Sequence, residues 1–108
     1  CTSGGNSKKG QIWKLTPTSK GNSVLELWYE VAKKDNLNMP DNLTVAPWGD
    51  LIICEDNPNI DRLWGITPNG VTYLIAENNY SNAEFAGVCF DPKNNFPPSI
   101  DAISGTLF

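Results

Sequence analysis

Carboxylate and amide side chains gather in three stretches of the chain, and they limit the chemistry that these residues can perform. The stretches are MPDN at 39–42, EDNPNIDR at 55–62 and ENNYSNAEF at 77–85. The oxygen atoms of such groups are the ligands that a hard cation such as calcium prefers. Histidine is absent, which excludes Ser-His-Asp and Cys-His catalysis and histidine-ligated zinc. Any chemistry must therefore use carboxylates, amides, hydroxyls or a thiolate.

The cysteines and the charges exclude further classes of protein. Cys1, Cys54 and Cys89 form no C-x-x-C pair, so the metal and redox sites built on that spacing are excluded. The net charge is -4 and Arg62 is the one arginine, which argues against a nucleic-acid partner. No apolar run reaches the length of about 18 residues that a membrane span needs. Because the chain begins with CTSGG rather than methionine, we expect an internal segment of a longer protein.

Glycine, proline and asparagine punctuate the chain, and the segments between them have the β-branched and aromatic content typical of strands. The turns PWGD at 47–50 and PNG at 68–70 are predicted because proline presets φ and glycine or asparagine tolerates a positive φ. The predicted strands cover 11–16, 24–31, 42–47, 50–55, 62–67, 71–77 and 86–91. The sequence therefore predicts an all-β fold.

Two segments recur later in the chain. QIWKLTP at 11–17 returns as RLWGITP at 62–68, and NLTVAP at 42–47 returns as GVCFDP at 87–92. A period of roughly 40 to 50 residues with four short strands is typical of a β-propeller blade. The predicted fold is thus a fragment of a β-propeller, with one complete four-stranded antiparallel blade at about 42–77 and parts of two neighbouring blades.

The chain divides accordingly into the outer half of one blade at 1–38, a full blade at 39–78 and the start of the next blade at 79–108. Because a ring closes with about four to eight blades, the chain is expected to need the remaining blades as partners and to be inactive alone. A small β-sandwich of about seven strands is the alternative, but the order of the repeated turns favours the propeller.

The predicted strand directions separate the loops into two ends. The PWGD and PNG turns fall at one end and the three polar stretches at the other, since antiparallel strands alternate in direction. Asp41 and Glu84 each lead into an innermost strand, and Glu55 ends a neighbouring strand. Near a central axis these carboxylates would repel one another unless they were protonated or bridged by cations. The alternative is that they are ordinary solvated loop residues.

The tryptophan and cysteine side chains of the predicted strands are expected to have structural roles. Trp13 and Trp64 occupy equivalent positions of the repeat, which favours packing between blades over ligand stacking. Cys54 and Cys89 lie in predicted strands with no histidine or lysine beside them, so we expect buried small hydrophobic residues rather than nucleophiles.

Several motifs, in order, resemble the C-terminal part of PhoX-type alkaline phosphatases. They are PDNLTVAPWGDLIICED at 40–56, RLWGITPNG at 62–70 and EFAGVCFDP at 84–92, preceded by CTSGG and GQIWKLTP. The resemblance covers about residues 1–95. It implies a bacterial phosphomonoesterase, exported to the periplasm or the extracellular space, with a β-propeller that carries calcium and iron at its centre.

The resemblance also implies roles for individual residues. Glu55 of CED and Glu84 of EFAG would bind metal, with Asp41 and Asn42 of PDN as further ligands. The family's iron ligands are not found among these residues and are expected elsewhere in the protein. Arg62 is a candidate for contact with phosphate, and no other catalytic residue is assigned. FPPSIDAISG at 96–105 departs from the family's pattern as an apparent insertion.

The leading functional prediction is a segment of a metal-dependent alkaline phosphatase that hydrolyses phosphate monoesters and takes calcium-binding carboxylates from this chain. A calcium-dependent lactonase-like propeller is one alternative, because its inner hairpins look similar. The other alternative is a non-catalytic propeller used for binding or as a scaffold. Turnover of phosphate esters against lactones separates the two enzymes, and stabilisation by calcium argues against the solvated-loop scaffold.

Overall fold

The computed structural model describes residues 1–91 and the backbone of the strand Ile103–Leu107, and this part of the chain contains strands and no helix. The strands are β1 (Gln11–Pro17), β2 (Ser23–Glu30), β3 (Pro40–Val45), β4 (Leu51–Glu55), β5 (Arg62–Ile66), β6 (Thr72–Glu77), β7 (Phe85–Phe90) and β8 (Ile103–Leu107). The all-β prediction is confirmed. Within the same residues, no helix is long and apolar enough to cross a membrane.

Each strand pairs in an antiparallel manner with a neighbour in sequence. Strands β3 to β6 form one sheet in the order β3-β4-β5-β6, while β1 pairs with β2 and β7 with β8. This is the predicted four-stranded sheet with a smaller sheet before and after it, an arrangement consistent with a fragment of a β-propeller. The division at 38/39 and 78/79 stays a prediction, and the apparent insertion at 96–105 falls almost entirely outside the described residues.

The two tight turns lie side by side at one end of the four-stranded sheet, as predicted. Backbone hydrogen bonds close the turn at 46–50 and the turn at 67–71. Gly49 and Gly70 have φ angles of 98° and 81°, in the region where glycine is favoured. A Cβ atom on Gly49 would lie 4.0 Å from Cγ of Pro68, so the two turns are in contact.

The internal repeat is visible in the strand register. The β1–β2 pair has an irregularity between Ile12 and Trp13, and the β5–β6 pair has one at the equivalent place, between Leu63 and Trp64. Bulges at matching positions support the repeat. The two tryptophans differ in environment, because Trp64 is 7% exposed in the core and Trp13 is 41% exposed. Packing between sheets is therefore observed for Trp64 and not for Trp13 in the described residues.

The four-stranded sheet is buried on both faces at β4. One face carries Ile53 and packs against the first hairpin, in a cluster of Ile12, Val31, Leu37, Ile53, Trp64 and Ile66. The other face carries Ile52 and Cys54 and meets β7, in a cluster with Ala46 and Val88. Cys54 is buried as predicted. The prediction for Cys89 is wrong: Cys89 is exposed, because it alternates along β7 with the buried Val88.

One tight contact inside the sheet yields a prediction. Gly65 lies opposite Tyr73 in the register, and a Cβ atom on Gly65 would overlap the Tyr73 ring carbons. The ring cannot move freely, because its hydroxyl donates a hydrogen bond of 2.6 Å to Asp50. We expect Gly65→Ala to lower the free energy of unfolding by about 1–3 kcal/mol, as overpacking does, in urea unfolding.

The same substitution in a Tyr73→Ala background is the control. There the ring is gone, so Gly65→Ala should cost much less. An equal cost in both backgrounds would show that the ring does not impose glycine at this position.

Candidate functional site

The three polar stretches meet at the end of the sheet that lies opposite the tight turns. The Asp56 N–H donates to the Met39 carbonyl at 3.0 Å, and the Asn78 N–H donates to the Asp61 carbonyl at 2.9 Å. The first bond joins 39–42 to the β4–β5 connection. The second joins that connection to the segment between β6 and β7. The three stretches are therefore tied to one another by their main chains.

Glu84, directly before β7, lies among like charges. Burial raises the pKa of Glu84, and three neighbouring carboxylates raise it further, those of Asp56, Asp41 and Asp61. Like charges raise an acidic pKa because they disfavour a second ionised group beside them. A bound cation would relieve this repulsion. The cluster therefore has the donor atoms and the charge that suit a hard cation.

An irregularity in β3 presents Asp41. Pro40 pairs with Glu55 and Asn42 pairs with Cys54, so Asp41 has no partner across the strand. Bulges re-aim side chains and are over-represented next to active sites. The exposed Asp41 carboxylate accepts a hydrogen bond of 2.8 Å from Nδ2 of Asn42. Asn42 thus orients the Asp41 carboxylate and leaves its own amide oxygen free of a described partner.

Met39 fixes the main chain that leads into this bulge. Its φ angle is 49°, in the left-handed region that residues other than glycine rarely adopt. Its N–H donates to the Lys9 carbonyl at 2.7 Å, and its carbonyl accepts from the Asp56 N–H at 3.0 Å. These two bonds hold the conformation and order Asp41 and Asp56 along a cleft of about 300 Å³. Backbone strain of this kind is concentrated at functional sites.

Asp56 belongs to this acidic cluster, although the sequence pointed to its neighbour Glu55. Among the charges that raise the pKa of Glu84, that of Asp56 is the strongest. Alternation along β4 places Ile53 and Glu55 on one face and Cys54 on the face that meets β7. Because Cys54 and Asp56 are two residues apart, alternation predicts the same face for both. This spacing could have identified Asp56 as a candidate ligand from the sequence.

Glu55 is fully buried and has internal partners. Its Oε1 accepts a hydrogen bond of 2.7 Å from the Asn38 N–H, and its Oε2 lies 3.6 Å from Nη1 of Arg62. Oε2 of Glu55 and Nε1 of Trp64 are both buried, and neither atom makes a hydrogen bond within the geometric limits. Burial raises the pKa of Glu55, while the Asn38 N–H, the indole of Trp64 and the Arg62 charge oppose that rise without cancelling it. Glu55 is thus the carboxylate of an internal ion pair.

Arg62 is engaged by two carboxylates of the sheet. Its Nε donates to Oε2 of Glu77 at 2.8 Å, and its Nη1 faces Glu55. The hydrogen bond to Glu77 is the chief cause of a raised pKa of Arg62, and the charge of Glu55 adds to it. Contact between Arg62 and phosphate stays a prediction.

The predicted metal ligands are divided between the two faces of the sheet. Asn42 lies opposite Cys54, on the face that meets β7, and the charges of Asp41 and Glu84 act on the Cys54 thiol. Glu55 shares the face of Ile53 and pairs with Arg62. In residues 1–91, no three aspartate, glutamate or cysteine side chains come close enough to hold a metal ion by themselves. Asp41, Asp56 and Glu84 therefore offer part of a ligand set of suitable chemistry, and the assignment of ligands stays a prediction.

Comparison with known proteins gives one family. A family model described as alkaline phosphatase PhoX matches residues 2–96, a range that includes the acidic cluster and all of β1 to β7. Neither the curated proteins nor the solved structures contain a significant match to the chain.

The burial of Glu55 predicts a pH dependence of stability. Because the folded-state pKa of Glu55 is raised, its contribution to stability is complete below its ordinary pKa and is lost as the pH rises through the folded-state value. Gln at this position cannot ionise. We therefore expect the melting temperature of Glu55→Gln, relative to the unmodified protein, to rise with pH above the ordinary glutamate range, measured in chelator.

Carboxylates that contact neither Glu55 nor Arg62 contribute equally to both proteins, so they cancel in this difference. A difference in melting temperature that stays constant with pH, or falls, would contradict the raised pKa of Glu55. Glu26→Gln is the matched control, because Glu26 is exposed and forms only a surface pair of 3.5 Å with Lys14.

Proposed function

The chain belongs to the PhoX alkaline phosphatase family, and from that premise we propose that it supplies calcium-binding carboxylates to an enzyme that hydrolyses phosphate monoesters. The family is one of metal-dependent phosphatases. The observations that support the proposal are that Asp41 and Asp56 line one cleft and that the charges of both raise the pKa of Glu84. An acidic cluster repels a phosphate anion, so an enzyme of this class needs cations between the two.

Asp41, Asp56 and Glu84 would bind calcium together with ligands from other parts of the protein. Cations held there would neutralise the phosphate group and stabilise the charge that develops on its oxygens. The carboxylates act by binding and orientation rather than by transferring protons. Iron, the second metal of the proposal, takes its ligands from residues other than these.

The residues around the cluster limit its motion before any metal binds. The Asn42 amide holds the Asp41 carboxylate, and the two backbone bonds of Met39 hold the segment on either side of the cleft. Ligands that are ordered in advance lose less conformational entropy when a cation binds. The family assignment favours this enzyme over a lactonase-like hydrolase or a scaffold, and we propose export to the periplasm or the extracellular space from the same resemblance.

The full-length protein tests the reaction class. We expect hydrolysis of p-nitrophenyl phosphate and no turnover of a simple lactone. Removal of calcium by a chelator should abolish the phosphatase activity, because the acidic cluster then repels the substrate, and added calcium should restore it. Turnover of the lactone in preference to the phosphate ester, or full activity after exhaustive chelation, would contradict the proposal.

Single substitutions test the ligands. Glu84→Gln and Asp56→Asn each remove a charge and a ligand oxygen at nearly constant volume, so we expect calcium affinity in calorimetry to fall by about tenfold or more. Asp50→Asn is the matched control, since Asp50 lies in the turn at the opposite end and bonds to Tyr73. A calcium affinity of Glu84→Gln equal to that of the control would show a solvated loop carboxylate.

Glu55→Gln in the same titration decides the remaining assignment. Glu55 forms an internal ion pair with Arg62. We therefore expect Glu55→Gln to change the calcium affinity by no more than about twofold. A tenfold loss for Glu55→Gln would instead establish the metal-binding role that the resemblance implies.

A further inference from the structure

Asn78 is a buried amide at the start of the connection between β6 and β7. Asn78 is 6% exposed. Its side-chain amide makes all of its hydrogen bonds to groups that lie no more than five residues further along the chain. Oδ1 accepts from the N–H groups of Tyr80 at 3.0 Å and Ser81 at 3.2 Å. Nδ2 donates to the Ala83 carbonyl at 2.6 Å and to Oγ of Ser81 at 3.2 Å. An asparagine side chain offers two donors and two acceptor positions, so this one is fully satisfied.

The two halves of the amide perform separable tasks. The oxygen closes a turn by binding the N–H groups of Tyr80 and Ser81, as asparagine and aspartate side chains often do. The nitrogen reaches across that turn to the Ala83 carbonyl. Aspartate could perform the first task, but it has no N–H group for the second.

The bond to Ala83 bears directly on Glu84. A peptide group is planar, so the Ala83 carbonyl, the Glu84 N–H and the Glu84 Cα lie in one plane. Fixing the carbonyl therefore fixes the plane from which the Glu84 side chain departs. The negative charges of Asp56 and Asp41 raise the pKa of the Glu84 carboxyl group.

The main chain of Asn78 connects the same loop to the rest of the acidic cluster. Its N–H donates to the Asp61 carbonyl at 2.9 Å. The Asp61 carboxylate in turn accepts from the Asn57 N–H at 2.8 Å, which orders the segment directly after Asp56. Asn78 thus joins the loop that carries Glu84 to the loop that carries Asp56.

We propose that Asn78 is the positioning residue of the metal site, and that its Nδ2 sets the orientation of Glu84 through the Ala83 carbonyl. This inference rests on the proposed function, because it concerns calcium binding by Glu84. Outer-shell partners of metal ligands change affinity by about 10- to 100-fold when they are replaced. A loss of that size is expected here without any contact between Asn78 and the ion.

The test compares Asn78→Asp and Asn78→Ala in the full-length protein, with calcium titrated by calorimetry. Asp keeps an oxygen for the turn but loses the bond to Ala83, so we expect calcium affinity to fall about 10- to 100-fold in both variants. The added negative charge of Asp would by itself favour a cation, so a fall in this variant reports the lost N–H together with the repulsion between the new carboxylate oxygen and the Ala83 carbonyl. Asn79→Ala is the matched control, since Asn79 is exposed and makes no described side-chain hydrogen bond; it should bind calcium like the unmodified protein.

Hydrogen exchange of the peptide that spans 78–84, followed by mass spectrometry without metal, separates positioning from general loop stability. The Tyr80 and Ser81 amides should remain protected in Asn78→Asp and lose protection in Asn78→Ala. Protection in Asn78→Asp together with weakened calcium binding is the signature of the positioning role.

Two results would overturn the inference. If Asn78→Asp binds calcium as tightly as the unmodified protein, the turn alone matters and Nδ2 positions nothing. If both variants bind normally while Glu84→Gln does not, the proposed function stands and the inference fails. Normal binding by Glu84→Gln would refute the metal assignment itself, and the role of Asn78 with it.

Discussion

The pleat of β4 is the constraint on which the rest of the structure depends. Its side chains are buried on both faces, with Ile53 against the first hairpin and Ile52 against β7. A slip of one residue would move every β4 side chain to the opposite face. Ile53 would then face β7, and Ile52 would face the first hairpin. The register is therefore strongly specified, and it carries the acidic residues with it. Glu55 follows Ile53 toward Arg62, and Asp56 is left on the side of Glu84.

The two sides of the sheet balance negative charge in different ways. On the side of the first hairpin, Arg62 lies between Glu55 and Glu77, and the ion pairs replace the water that burial removes. A buried carboxylate without such a partner would strongly destabilise the fold. On the other side, Asp41, Asp56 and Glu84 form no salt bridge with any lysine or arginine in residues 1–91. That cluster remains stable because it is partly solvated.

Local patterns account for the predictable part of this structure, and register accounts for the rest. Strand positions and both tight turns followed from residue types at short range, and the repeat placed them in one sheet. The bulge at Asp41 could not be predicted, because it depends on how Pro40 and Asn42 align with β4. Alternation along β4 separates Glu55 from Asp56, but the face that meets β7 follows only from the packing between the sheets. The role of Asn78 depends on its burial between two connections, and in the sequence it is one of several asparagines.

Different local contacts order the chain before β3 and β7, the two strands that the sequence predicts to be innermost. Before β3, the main chain of Met39 is held in a left-handed conformation by bonds to Lys9 and Asp56. Before β7, the side chain of Asn78 holds the Ala83 carbonyl. A metal ligand has to be held to within about half an ångström of its working position, and a loop carboxylate cannot meet that condition through its own contacts. Because these bonds form when the chain folds, the conformational entropy of both loops is lost at that stage rather than when a cation binds. The order of these loops and the unpaired negative charge of the cluster both support the proposed binding of a divalent cation.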